Sequence, residues 1–162
     1  IDDVKRVKTF NVKTGFYSCH SVANWNSDKL VVSGLKYGML YWCVVNLRDG
    51  RVDSTHKVCK GDIVYCDSQL AIKHDTIYIS CRTLNSTVDG VYAFDILNPH
   101  TPKFRYQHHG FRPNSIMVDE RNFIYVCDYY SNSIHQLTDS GQLVTIHTVS
   151  TRPNRIFYDD RH

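Results

Sequence analysis

Two identical tripeptides carry side chains that could bind a charged ligand. Arg112-Pro113-Asn114 and Arg152-Pro153-Asn154 begin 40 residues apart, and an apolar segment follows each copy. A guanidinium group suits carboxylates and phosphates, and an asparagine amide can both donate and accept hydrogen bonds. A self-match at a spacing of about 40 residues is also typical of repeat proteins. The repeated residues therefore indicate both a binding chemistry and an architecture that would position it.

No arrangement of residues in the chain predicts catalysis. We find no Ser-His-Asp set and no paired carboxylates at a meaningful spacing, and His108-His109 falls at an expected loop or strand end. The cysteines form no C-x-x-C pair and no Cys/His spacing typical of zinc sites. We therefore expect a segment without enzymatic activity and without a cofactor.

The six cysteines have two interpretations. They are Cys19, Cys43, Cys59, Cys66, Cys81 and Cys127. An even count allows three disulfides in a secreted protein. A chain of 162 residues, however, can bury a sizeable hydrophobic core and does not need disulfides to be stable. We expect reduced thiols, several of them serving as small core residues on strands. Asn85-Ser86-Thr87 is a glycosylation sequon, a pattern that also arises often by chance.

Charge and hydropathy limit the kinds of partner and cellular setting that the sequence predicts. The net charge of +3 permits an acidic partner without requiring one. No apolar run approaches the ~18–20 residues that span a membrane, so we expect no membrane insertion. The start at Ile1-Asp2-Asp3 shows neither an initiator Met nor a signal-peptide pattern. We expect the chain to be a piece of a larger protein.

Short alternating segments rich in Val, Ile, Tyr and Phe, separated by turn residues, predict an all-β fold. Three of them, which begin at Leu30, Ile77 and Ile124, share a pattern of three apolar residues and a small one. Their starts lie 47 residues apart in both intervals. An apolar strand precedes each of these segments, and two more follow it. Four antiparallel strands per unit of this length are typical of a β-propeller blade.

The predicted domain organisation is a partial propeller with three complete blades. The blades cover about 16–58, 61–109 and 111–149, after the outer strand of a preceding blade at 4–12 and before the inner strand of a following blade at 152–160. An antiparallel sandwich is the alternative, but it does not predict the repeated Arg-Pro-Asn. Three blades cannot close a ring, so we expect the remaining blades from the parent chain or from another copy.

The third unit resembles an NHL repeat. The matching segments are 112–116, 124–128, 131–137 and 139–141, although Asn132-Ser133-Ile134 is shorter than the usual Asn-His-Arg-Ile. The first two units match mainly in the spacing of their strands and turns, not in the individual motif residues. The resemblance implies an NHL-type propeller similar to the C-terminal propeller of tripartite-motif ubiquitin ligases. It also implies a parent protein that is a ubiquitin ligase, and a cytoplasmic location.

Propeller geometry gathers the basic and aromatic loop residues on one face. The loops between blades, and those between second and third strands, emerge together on that side. We call these residues the basic face: Lys36, Tyr37, Lys60, Arg82, Arg112, Tyr129, Tyr130 and Arg152. Cations hold phosphates and rings stack on bases, so single-stranded RNA is one expected partner and a protein is the other. Alternatively, the two tyrosines pack between blades and the arginines bind loop carbonyls.

A second resemblance leaves an enzymatic alternative open. Metal-dependent propeller hydrolases of the gluconolactonase type have similar repeats, and the resemblance implies an ion held by Asn114, Asp128 and Asn154 at the central channel. A hard cation prefers several carboxylates, however, and Arg112 and Arg152 would add positive charge beside the site.

Overall fold

A computed structural model describes residues 12–59, 66–83 and 89–157, with the side chains of Cys66 and Asp67 excepted. The predicted strand at 4–12 lies almost entirely outside this part of the chain, as do Lys60 and Asn85. The described residues contain no helix long and apolar enough to span a membrane. They form twelve strands: β1 (Ser18–Asn26), β2 (Lys29–Lys36), β3 (Met39–Asn46), β4 (Val52–Lys57), β5 (Cys66–Lys73), β6 (Thr76–Thr83), β7 (Gly90–Asp95), β8 (Phe104–Tyr106), β9 (Pro113–Val118), β10 (Ile124–Asp128), β11 (Ser133–Leu137) and β12 (Leu143–Thr148).

The strands form three four-stranded sheets with one topology. Their orders are β1-β2-β3-β4, β5-β6-β7-β8 and β9-β10-β11-β12, with every neighbouring pair antiparallel. This meander confirms the predicted fold class of four-stranded antiparallel blades. Residues 152–157 carry no strand, and 158–160 lie outside the described part. The inner strand expected over 152–160 therefore stays a prediction.

The blades pack face to face through two hydrophobic clusters. The first joins blades 1 and 2 and includes Trp42, Ile79 and Phe94. The second joins blades 2 and 3 and includes Tyr106 and Val126. Because side chains alternate along a strand, each middle strand of blade 2 supplies one set of residues to each cluster.

Contacts along the inner edges hold neighbouring blades in register. The inner strands β1, β5 and β9 lie side by side in chain order. The Ser33 and Ser68 hydroxyl oxygens are 3.0 Å apart, and the Leu70 amide donates to Ser21 Oγ at 3.2 Å. The small residues predicted on the second strands are fully buried, since Ser33, Ser80 and Cys127 are each 0% exposed. These close contacts place the starts of the inner strands around one axis.

Truncating the blade 1–blade 2 interface should destabilise the protein strongly. Ile79 is fully buried in the first cluster, so Ile79→Ala should lower the free energy of unfolding by about 2–5 kcal/mol. Urea titration followed by tryptophan fluorescence would measure this. Val22→Ala, which removes an exposed side chain, should change it by less than about 0.5 kcal/mol. Equal effects of the two substitutions would contradict the packing of the blades described above.

Candidate binding face

A row of stacked side chains runs along the basic face. The Arg112 guanidinium lies 5.0 Å from the Tyr130 ring centroid, and that of Arg152 lies 5.3 Å from the Tyr129 centroid. The two tyrosine rings contact each other edge to face, with centroids 5.4 Å apart. We call Arg112, Tyr130, Tyr129 and Arg152 the cation–π row. It brings together four of the eight residues predicted for this face.

The two arginines at the ends of the row have different environments, although each is the first residue of an Arg-Pro-Asn copy. Arg112 Nη2 donates to the Thr83 carbonyl at 2.8 Å, and its Nε lies 3.4 Å from Asp89 Oδ2. The Asp89 side chain is 3% exposed, and its other oxygen accepts from the Thr83 amide and hydroxyl. Arg112 therefore links blade 3 to blade 2. Arg152 is exposed, with its guanidinium over a tyrosine ring.

The row borders a polar depression of about 850 Å³ at the inner edges of all three blades. We call it the axial pocket, and its volume lies within the range of ligand sites. Its lining includes His20 of β1, Ser68 and Gln69 of β5 and Asn114 of β9. Its other lining residues are Tyr17, Ser18, Cys19, Leu35, Arg82, Tyr129, Tyr130, Asn154 and Arg155. Hydrogen-bond donors and cations thus converge on one concave site.

A strained turn forms the blade 1 corner of the same face. Tyr37 connects β2 to β3 with φ of 51°, and Gly38 follows with φ of 71°. A non-glycine residue in this region stores backbone strain, yet the Tyr37 side chain is 79% exposed and buries little in return. Lys36 Nζ lies 5.5 Å from its ring centroid, and the Gly38 amide donates to the Tyr17 hydroxyl at 3.1 Å. Tyr17 connects this corner to the axial pocket.

The three residues of the metal-binding alternative are divided between two environments. Asn114 Nδ2 donates to the Asn154 carbonyl at 2.7 Å and to Asn154 Oδ1 at 2.5 Å, within the axial pocket. Asp128 is 2% exposed, and its Oδ1 accepts from the amides of Arg112, Tyr130 and Ser131 at 3.3–3.4 Å. Among the described residues, no group of three or more His, Cys, Asp or Glu side chains could hold a metal.

A buried histidine joins Asp128 to the outer strand of blade 2. His135 Nδ1 lies 2.8 Å from the Tyr106 hydroxyl, and its Nε2 lies 3.9 Å from Asp128 Oδ2. Burial lowers the pKa of His135, an effect that Asp128 opposes, and burial raises the pKa of Tyr106 to about 12. Because Nε2 faces the Asp128 carboxylate, the tautomer protonated at Nε2 is favoured, and in it Nδ1 accepts a hydrogen bond from the Tyr106 hydroxyl.

Sequence reasoning missed several residues of the site. Tyr17, His20, Gln69 and Arg155 all line the axial pocket. Tyr17 and His20 lie at the start of the first inner strand, the part of a blade where Arg112 and Asn114 lie in blade 3. Their place in the repeat could have identified them, although their residue types differ. Lys60 lies outside the described residues, so its predicted place stays untested.

Known structures with a similar fold are β-propellers. The chain matches virginiamycin B lyase from Staphylococcus aureus, crystallised as a catalytically inactive variant with quinupristin, at a TM-score of 0.67 and 14% identity, over 90% of this chain and 47% of that one. It matches the WD40 β-propeller domain of Doa1 at a TM-score of 0.63 and 11% identity, over 83% of this chain and 42% of that one. It also matches the β-propeller domain of Myceliophteria thermophila Cps50 (Swd1) at a TM-score of 0.60 and 13% identity, over 79% of this chain and 40% of that one.

These matches assign the fold alone: the described sheets are blades of a β-propeller. The chain spans less than half the length of each of these three proteins. No protein-family profile matches the sequence, and no curated protein matches it.

The two Arg-Pro-Asn copies should respond differently to the same substitution. Arg112→Ala should destabilise the protein by about 2–4 kcal/mol, because it leaves Asp89 buried without its cation. Arg152→Ala should change stability by less than about 0.5 kcal/mol, because this side chain is exposed. Chemical denaturation of both variants measures the difference. An Arg152→Ala loss as large as that of Arg112→Ala would overturn the assignment of unequal roles.

Acid should weaken the fold through His135. The folded-state pKa is depressed, so below its ordinary value of 6.5 the unfolded chain binds more protons than the folded one. Stability should therefore be fully present above that pH and decline as the pH falls below it. Burial lowers the pKa of His56 as well, which adds to the same trend. Urea midpoints measured across this range should show a shallower decline for His135→Gln, whereas His147→Gln, at an exposed position, should behave like the wild type.

Proposed function

We propose that this chain is a non-enzymatic binding module that captures an acidic segment of a protein partner on its basic face. The observation that supports this most directly is the cation–π row beside the axial pocket. Arginine and tyrosine dominate the energetic hot spots of protein interfaces, and concave desolvated pockets are where such hot spots concentrate. The lining amides of Gln69, Asn114 and Asn154 can pair with a peptide backbone or a carboxylate.

We favour a protein partner over single-stranded RNA because cations of the chain itself already lie over the tyrosine rings. Base stacking needs an open ring face. Tyr37, Tyr129 and Tyr130 each have a cation within about 5.5 Å of the ring centroid. A base would have to displace that cation or use the opposite face. An acidic side chain can instead contact the cation where it lies.

A matched set of variants tests the proposal. Arg152→Ala and Tyr129→Ala should each weaken binding of a fluorescein-labelled Asp/Glu-rich peptide by about tenfold, which corresponds to about 1.4 kcal/mol. Arg51→Ala removes an exposed cation next to the β3–β4 turn, outside the axial pocket, and should leave the affinity unchanged. Fluorescence polarisation measures all four proteins.

The same titration includes a mixed-sequence single-stranded RNA of equal charge. Tighter binding of the RNA, with an affinity that falls steeply with salt, would replace the protein partner with RNA. Equal affinity of the wild type and the Arg152→Ala variant for both probes would remove the basic face as the site.

The wider setting forms part of the proposal. The NHL-like segments of blade 3 support a parent protein of the tripartite-motif type, with a cytoplasmic location and with the remaining blades supplied by that parent. A full-length sequence with an N-terminal RING domain, B-box and coiled coil would agree with this setting. A signal peptide in its place would contradict it.

The metal-dependent hydrolase is the second candidate, because Asn114 and Asn154 meet inside the axial pocket. Calorimetric titration with Ca²⁺ and Mn²⁺ distinguishes it from the binding module. Saturable binding that is lost in Asn114→Ala would favour the hydrolase, and the absence of heat would favour the binding module.

A further inference from the structure

Two cysteine thiols meet at a second pocket, which shares no lining residue with the axial pocket. This pocket, of about 420 Å³, lies between the outer part of blade 1 and the third and fourth strands of blade 2. Cys59 follows β4, is partly buried and lines the pocket. Cys81 lies on β6 and is fully buried. Neither is in a disulfide, and Cys59 packs against the hydrophobic cluster that contains Cys81, which makes the two thiols neighbours.

The surroundings of Cys59 favour its thiolate. The hydrogen bond from Cys81 lowers the pKa of Cys59, burial opposes this, and the charges of Lys57 and Arg105 lower it further. Both cations line the pocket. The Arg105 guanidinium is also fixed over the Tyr92 ring, 5.2 Å from the centroid. By contrast, burial raises the pKa of Cys43 to about 12 and that of Cys127 to about 11.

We propose that Cys59 is an oxidation site for hydrogen peroxide and that Cys81 resolves it into a disulfide between blades 1 and 2. The Cys59 thiolate attacks one peroxide oxygen, the O–O bond breaks, and the leaving hydroxide takes a proton to become water. The Cys81 sulfur then attacks the sulfenic acid of Cys59, which expels a second water. Two thiols lose two electrons in total, and one peroxide molecule is reduced to two waters.

The geometry suits each step. The pocket opens to solvent beside Cys59, so a small peroxide reaches this thiol, whereas Cys81 is covered. Cys59 packs against the buried cluster that contains Cys81, so the two side chains are neighbours, as a disulfide with an S–S bond of about 2.05 Å requires. Cys59 lies in the connection that follows β4, where the backbone can supply that movement more readily than a paired strand can.

Peptide mapping of the oxidised chain tests the proposal. After treatment with substoichiometric hydrogen peroxide and alkylation of the remaining thiols, mass spectrometry should find a Cys59–Cys81 linked peptide with the loss of two hydrogens. Cys81→Ala should instead accumulate a dimedone adduct on Cys59. Arg105→Gln should slow the reaction several-fold, because it removes one of the cations that favour the thiolate.

Three controls separate this site from general thiol oxidation. Cys127→Ala removes a buried thiol in blade 3 and should leave the rate of linkage unchanged. Cys59→Ser should abolish the linkage and leave Cys81 unmodified. Oxidation of the exposed Cys19 before Cys59, a link from Cys59 to a cysteine other than Cys81, or a sulfenic acid on Cys59 that persists equally in the wild type and in Cys81→Ala would each overturn the proposal.

Discussion

A blade of four strands has two faces and can bury neither of them by itself. This constraint requires the middle strands to be apolar on both sides and requires the blades to pack in sequence. Strand β6 of blade 2 illustrates it: Ile77 and Ile79 pack towards blade 1, and Tyr78 packs towards blade 3. The continuous apolar runs of the second and third strands, and the recurrence of those runs, follow from the same requirement.

The packing of the blades also determines where chemistry can take place. Side-by-side inner strands bring the starts of β1, β5 and β9 around one axis. Polar residues at those starts become neighbours although they are far apart in sequence, as His20 and Asn114 do in the axial pocket. The second pocket arises in the same way, where the outer strand of blade 1 meets blade 2. Both candidate sites are therefore products of the interfaces between blades.

The sequence predicted the blades more accurately than it predicted the roles of residues. Segments expected to begin at Leu30, Ile77 and Ile124 correspond to β2, β6 and β10, which begin within one residue of them. Periodic patterns report local backbone geometry, so this part of the fold could be derived. The ends of outer strands are harder to derive: β8, the fourth strand of blade 2, spans only Phe104–Tyr106, and outer strands have fewer packing partners to specify their length.

The roles of the two arginines could not be derived in this way. Nothing near Arg112 in the sequence indicates that Asp89, in another blade, holds its guanidinium. The repeated tripeptide suggested equal roles, but the partners of a side chain depend on which loop folds against it. The predicted face was useful because it identified the tyrosines that stack on both arginines. Tyr17 was missed for a different reason. It lies at the start of the inner strand of blade 1, as Arg112 does in blade 3, but a tyrosine does not match an arginine in a search for repeated residues.

The anchored end of the cation–π row affects the entropy of binding. Arg112 is fixed by a buried carboxylate and a carbonyl, and it lies over Tyr130, which in turn contacts Tyr129. Much of the side-chain freedom that a ligand would otherwise have to restrict has therefore already been lost during folding. Any change that loosens the contact between blades 2 and 3 would return that freedom to the row. The affinity of a ligand that binds this face as proposed would therefore be thermodynamically linked to the packing of blade 3 against blade 2.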